Sequence, residues 1–300
     1  MELAVKLGRL SLSNPFVAAS GVFGTEWSAV TKVLESDASA MVSPTQFKKP
    51  RPWPQPPVFR SWVHWSMVDT GLWSPGIDEF CAQLSKVRKS GKPVFVNLGE
   101  IDVEAALICA ENLRNAGADG LELNPFHGRA IPAPRRLSEL VSALKSKAPE
   151  LPVFVKLPLM AEVERLAQTV CNAGADGLTL IGPPRGLAYD LEEWCSAERI
   201  EGYVCGHAIH PLATYWIERI RTKFPDVPIM GCGGVYNWSD ALEFLVAGAN
   251  AVQVGTALSE QGLALFSNLV SECENYLAKQ GFASISECVQ AVRSTLKANL

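Results

Sequence analysis

Lys156 sits near the end of the apolar run Pro152-Val-Phe-Val-Lys-Leu157. A solvated face is a poor account of a lysine in that setting, and burying its ammonium is costly unless an anionic partner meets it. Asn97 occupies the same place in Lys92-Pro-Val-Phe-Val-Asn-Leu98, and Asn124 ends Leu121-Glu-Leu-Asn124. Side-chain amides both donate and accept. A lysine and two asparagines brought together therefore suit a flat heterocycle with carbonyls and ring nitrogens. The alternative is a polar layer that closes one end of the fold without a ligand. Gly233-Gly234 and Gly255-Thr256 form a second set, each after an apolar run and before a helical pattern. Backbone N–H groups at such turns bind phosphate, while the plainer reading is tight turns that need glycine for backbone reasons.

The elements that must position these residues announce themselves as repeats. Asn115-Ala-Gly-Ala-Asp-Gly-Leu-Glu-Leu123 recurs as Asn172-Ala-Gly-Ala-Asp-Gly-Leu-Thr-Leu180 and, more loosely, as Val246-Ala-Gly-Ala-Asn-Ala-Val-Gln-Val254. Each copy follows a helical pattern, over 103–113, 161–170 and 238–245, with the glycine as helix stop. A second echo interleaves with the first: the Lys92-Pro and Leu151-Pro runs and Val227-Pro-Ile-Met-Gly231. Pro at a strand start costs no ladder bond, and short continuous apolar runs suit parallel strands covered by helices. Strands are expected at 16–19, 40–43, 94–98, 121–124, 153–157, 178–181, 229–232 and 251–254. Eight strands alternating with helices predict an α/β fold, a (β/α)8 TIM barrel. An open doubly wound sheet is the runner-up and lacks its glycine fingerprint. Two stretches break the alternation, at 47–73 and 182–210, and are expected as insertions after strand 2 and strand 6. The first is rich in Pro and Trp and cannot be a regular helix.

In such a barrel the site lies at the C-terminal ends of the strands. Those ends carry Ala19, Ser20 and Gly21, then Ser43-Pro44, Asn97, Asn124, Lys156, Gly182, Gly233-Gly234 and Gly255-Thr256. One domain over 1–300 is expected, with the barrel at about 10–258 and closing helices at 262–299. Hydrophobic residues at 48% and charged residues at 19% exclude global disorder. A net charge of −4 leaves no basic surplus for nucleic acid or an anionic membrane. No apolar run is long enough to span a bilayer. The eight cysteines form no CxxC pair, which points to reduced thiols, no metal site and a cytoplasmic location.

The chain resembles the class 1 dihydroorotate dehydrogenases. The resemblance is carried by Asn14-Pro-Phe-Val-Ala-Ala-Ser-Gly-Val-Phe-Gly24, Gly71-Leu-Trp-Ser-Pro-Gly76, Leu121-Glu-Leu-Asn124, the Pro152 run, Gly177-Leu-Thr-Leu-Ile181 with Arg185-Gly186, Gly231-Cys-Gly-Gly-Val235 and Gly255-Thr-Ala257. It implies FMN and hydride transfer between the flavin and a small, anionic cyclic substrate. Ala19, Ser20 and Gly21 would lie beside the flavin ring, with Asn97, Asn124 and Lys156 as its polar contacts. Gly206, Gly233, Gly234, Gly255 and Thr256 would hold the ribityl chain and phosphate. The family's lysine after strand 2 falls at Pro44, and two of its asparagines fall at Val68 and Gly182. Its Asn-x-Ser-Cys-Pro-Asn loop reads Asn124-Pro-Phe-His-Gly-Arg129. His127 thus takes the position of the catalytic cysteine, and imidazole titrates near neutral pH. Arg129 is the candidate for a substrate carboxylate, with Lys48, Lys49 and Arg51 behind it, and Asn124 is a further substrate-binding candidate. The alternatives are dihydroorotate itself as substrate, a flavin- or ligand-binding protein without turnover, and a flavin-free phosphosugar barrel. The resemblance also implies a homodimer and an electron-transfer partner. The tryptophans at 53, 62, 65 and 73 mark a candidate lid or interface, and His207 and His210 either reach the flavin or serve the start of a helix.

Overall fold

In the computed structural model the described residues are 1–21, 27–52, 58–69, 71–87, 91–126, 132–191, 195 and 197–298. They begin with a hairpin, β1 Val5–Leu7 and β2 Leu10–Leu12. β3 Phe16–Ala18, α1 Trp27–Glu35 and β4 Ala40–Val42 follow. Next come β5 Val58–Ser61, β6 Ser66–Asp69, α2 Ile77–Val87, β7 Val94–Leu98 and α3 Val103–Asn115. The alternation continues with β8 Gly120–Leu123, α4 Pro134–Lys147, β9 Val153–Pro158, α5 Val163–Asn172 and β10 Gly177–Gly182. After β11 Arg185–Asp190 and β12 Glu198–Cys205 come α6 His210–Lys223, β13 Ile229–Cys232, α7 Trp238–Ala247 and β14 Ala251–Val254. Helices α8 Thr256–Gln261, α9 Ala264–Gln280 and α10 Ile285–Ala298 complete the chain.

Strands β3, β4, β7, β8, β9, β10, β13 and β14 close into a parallel barrel in chain order. This is the expected (β/α)8 barrel, with each strand within two residues of its expected place. The helices pack outside it over a continuous apolar layer. Inside, Val17, Ala40, Val42, Phe95, Phe154, Met230 and Ala251 fill the lower half, and Leu7 and Leu12 of the hairpin plug its floor. The rings of Phe95 and Phe154 meet edge to face at 5.6 Å. Gly120 makes room for the first: a Cβ there would lie 2.6 Å from the Phe95 ring.

The two sequence echoes lock into one another. Asp119 closes the first repeat, and its carboxylate accepts the N–H of Val94 at 2.7 Å while its own N–H donates to the Val94 carbonyl at 3.0 Å. Asp176 forms the same pair with Val153, at 2.7 and 2.9 Å. Asn250 forms it with Ile229, at 2.9 and 2.7 Å. Each repeat therefore clamps the first free N–H after the proline of the neighbouring strand, a group the ladder leaves unpaired. That is the physical content of the Ala-Gly-Ala-Asp pattern.

The two insertions do more than connect. β5 and β6 come from the first and β11 and β12 from the second, and they pair as one antiparallel sheet in the order β11-β12-β6-β5. Its seam is Tyr203 opposite Val68 through Cys205 opposite Ser66. Trp62 stacks on Trp65 at 4.0 Å, and Trp53 lies outside the described residues.

Asp119→Ala leaves the Val94 N–H without its carboxylate. We expect a loss of about 1–3 kcal/mol, read as a lower denaturation midpoint at unchanged slope in a urea titration. An unchanged midpoint would show that the interlock is dispensable.

Candidate active site

Successive inward positions of a strand lie two residues apart. Moving up each strand from the apolar plug therefore gives the next layer directly. Phe95 is followed by Asn97, Phe154 by Lys156, Met230 by Cys232 and Ala251 by Gln253. The barrel interior thus turns from hydrocarbon to polar in one step, and the polar step faces the C-terminal end.

Glu122 on β8 is the centre of this layer and is fully buried. Its Oε1 accepts from Asn97 Nδ2 at 2.7 Å and from Lys156 Nζ at 3.4 Å. Its Oε2 accepts from Thr179 Oγ1 at 2.9 Å and from Gln253 Nε2 at 2.5 Å. Gln253 Oε1 in turn accepts from Lys156 at 3.4 Å. A buried carboxylate needs this kind of saturation. Burial disfavours the Lys156 ammonium, but the neighbouring Cys232 sulfur and the Glu122 carboxylate outweigh that loss and raise its pKa above the ordinary lysine range. The anionic partner that the sequence demanded for Lys156 is therefore supplied by the protein itself. Glu122, Thr179 and Gln253 were missed by sequence reasoning, although each is a polar residue flanked by apolar ones within a strand.

Above this layer two adjoining cavities open, of about 210 and 180 Å³. Ser20, Gly21, Val68, Lys156, Pro183 and Cys205 line both. The first extends along Gly206, Gly233, Gly234, Gly255 and Thr256, with Ala19 on its wall. Gly234 has φ +75°, and a Cβ there would lie 2.8 Å from the Gly206 carbonyl oxygen and 2.9 Å from His210. Only glycine keeps this wall open. The second cavity is walled by Asn124, Phe126, Leu72, Asp69, Thr45 and Gly182, among others.

The sequence-expected residues thus converge, with one displacement. Ala19, Ser20, Gly21, Asn124, Lys156 and the five cradle positions line the cavities. Asn97 does not line them. It lies fully buried beside Glu122, and its Oδ1 has no hydrogen-bond partner among the described residues. His127 and Arg129 lie outside the described residues; Asn124 and Phe126, which precede them in the sequence, line the second cavity. His207 and His210 line neither cavity. They face Asp240 at 3.3 Å and Glu243 at 3.0 Å, and His210 stacks on Phe244, so both serve the packing of α6 on α7. The insert sheet contributes Phe59, Val68, Asp69 and Tyr203 to the cavity walls, as a lid would.

Comparison with known proteins agrees with this geometry. The family model described as Dihydroorotate dehydrogenase matches residues 2–277. A protein of Thermoplasma acidophilum named dihydroorotate dehydrogenase B (NAD(+)), catalytic subunit, is 28% identical over 297 residues, covering 96% of this chain and 98% of its own length. Proteins of the same name from Methanocaldococcus jannaschii and Methanothermobacter thermautotrophicus are each 30% identical. They cover 90% and 96% of this chain, and 92% and 97% of their own lengths. No helix of the described residues is long and apolar enough to cross a membrane.

Burial raises the thiol of Cys205 from 9.0 to about 12, and burial likewise raises that of Cys232. Thiols raised in this way stay protonated at neutral pH, and only the thiolate is alkylated. In native protein at pH 7.5, iodoacetamide is expected to modify exposed Cys195 and to spare Cys205 and Cys232 until the chain is unfolded. Mass spectrometry of the timed digest reads this, and rapid native labelling at Cys205 would refute it.

Proposed function

The chain belongs to the dihydroorotate dehydrogenase family of oxidoreductases, and from that premise we propose that it holds FMN and moves a hydride between the flavin and a small cyclic substrate. The observation that carries this reading is the glycine-lined cavity running into Lys156 at the C-terminal end of the barrel. One feature of the site supports the cofactor. Gly233 and Gly234, both with positive φ, keep open the wall that a phosphate and its ribityl chain would occupy.

When bound, the flavin accepts or gives the hydride. The remaining work falls to the chain. Lys156 holds positive charge beside the ring, and Ser20 and Gly21 form its other wall. Asn124 orients the substrate. Oxidation of a CH–CH unit releases one hydride and one proton, and we assign the proton to His127, three residues along the same loop. Arg129, two residues further, is the proposed holder of a substrate carboxylate. Val68, Gly182 and Pro183 bring apolar or side-chain-free surface to the substrate-side wall. A site of that kind loses its grip on a ring of amides, which favours a substrate other than dihydroorotate. The names of the relatives support an electron-transfer partner subunit, and a homodimer completes the proposal.

The purified protein is expected to be yellow, or to turn yellow with added FMN, and to bleach anaerobically with one member of a panel of dihydropyrimidines and related cyclic acids. His127→Ala should slow that bleaching by roughly 10²–10⁴-fold while leaving FMN bound, the usual range for a lost acid or base. A protein that stays colourless with FMN would overturn the cofactor assignment. Bleaching by dihydroorotate itself would restore the family's own substrate, and bleaching by no panel member while dithionite succeeds would leave the binding reading.

A further inference from the structure

A flavin site built on a lone lysine would present one full positive charge to the ring. Here the charge is compensated before any ligand arrives. Glu122 is fully buried, lies 3.4 Å from Lys156 Nζ, and is held by Asn97, Thr179 and Gln253 as well. Cys205 and Cys232 also line the first cavity, and burial raises both thiols. The buried layer therefore pairs the Lys156 ammonium with the Glu122 carboxylate. In a low-dielectric interior a charge at this distance acts with little screening. Removing the negative member would leave the ring facing an uncompensated cation.

We infer that Glu122 is a positioning residue that sets the redox balance of the flavin through Lys156: it holds the ammonium in place, and its carboxylate offsets the charge that would otherwise favour the reduced ring. The inference rests on the proposed FMN site and concerns a residue that does not itself line either cavity. It explains two otherwise separate facts. Four donors converge on one carboxylate because the charge must stay ionised where water cannot reach it. Asn97 lies beneath the cavity rather than on its wall because one end of its amide is committed to Glu122, which leaves its Oδ1 as the only free end.

The test is a potentiometric titration of FMN-loaded wild type, Glu122→Gln and Thr179→Val, with oxidised and reduced FMN affinities measured alongside. Glu122→Gln keeps the shape and removes the charge. It is expected to raise the ratio of reduced- to oxidised-flavin affinity about tenfold, a positive shift of about 30 mV for a two-electron couple. Thr179→Val takes one donor from the carboxylate, strengthens its pull on Lys156, and is expected to shift the potential the opposite way. Glu122→Asp, which keeps the charge, should lie near wild type. A purely structural role would weaken binding of both flavin forms alike and leave the potential unmoved in every variant, and that result overturns the inference. Should Glu122→Gln not fold, Thr179→Val decides alone: no negative shift, no role. If wild type binds no FMN, it is the cofactor assignment that fails, and the titration separates the two outcomes.

Discussion

The two-residue period of a strand inside a closed barrel governs this molecule. Once Phe95 and Phe154 point inward to build the plug, Asn97 and Lys156 must point inward as well, one layer higher. A slip of one residue would send the phenylalanines into the helix layer and turn Val96 and Val155 into the barrel in their place. Register is therefore the quantity on which both the core and the polar layer depend. Asp119, Asp176 and Asn250 hold it from below, by clamping the first N–H of three strands. The hairpin residues Leu7 and Leu12 close the floor on which the plug rests.

The polar layer that results is a poor investment in stability. Taking a carboxylate and an ammonium out of water costs several kcal/mol per ion, and well-packed apolar residues of similar volume often do as well or better. Its value is in charge placement. Glu122 and Lys156 form a fixed dipole at the mouth of the barrel, set on strands whose register cannot drift. A charge held in this way needs no reorganisation when a ligand's own charge changes, which is what preorganised electrostatics means in a redox site.

Much of this was legible in the residues because the signals are local. The Ala-Gly-Ala-Asp echo and the Pro-started runs mark strand positions to within two residues, since turn chemistry and apolar runs act over a few positions. Lys156 and Asn124 were recognisable as polar ends of buried strands. The interlock of the echoes was not, because it joins segments that meet only when adjacent strands pair. Glu122, Thr179 and Gln253 carry the same local mark as Lys156, but what the mark means depends on closure of the barrel, which brings four strands to one carboxylate. Asn97 shows the limit from the other side: the strand was right and the face was right, yet the layer lay one step below the cavity. The insert sheet was hidden for a related reason. Tyr203 pairs with Val68 across two insertions remote in sequence, and neither half has a partner of its own.

The division of labour also bears on which half of the proposed site is free to vary. The cradle and the charged layer lie on or directly after barrel strands. A change there meets the packed core, as at Gly234, where any side chain would strike the Gly206 carbonyl and His210. The substrate-side wall is drawn from Val68, Leu72, Asp69 and Tyr203 of the inserts and from Gly182 and Pro183 at the end of β10. Val68, Asp69 and Tyr203 belong to the insert sheet, which is held by its own ladder. Substitution there alters what the cavity accepts without moving a barrel strand. Under the proposed function, change on the substrate side with the cofactor side kept would be the low-cost route to a new specificity in this fold: loops are free to vary where they are not bound to the register below them.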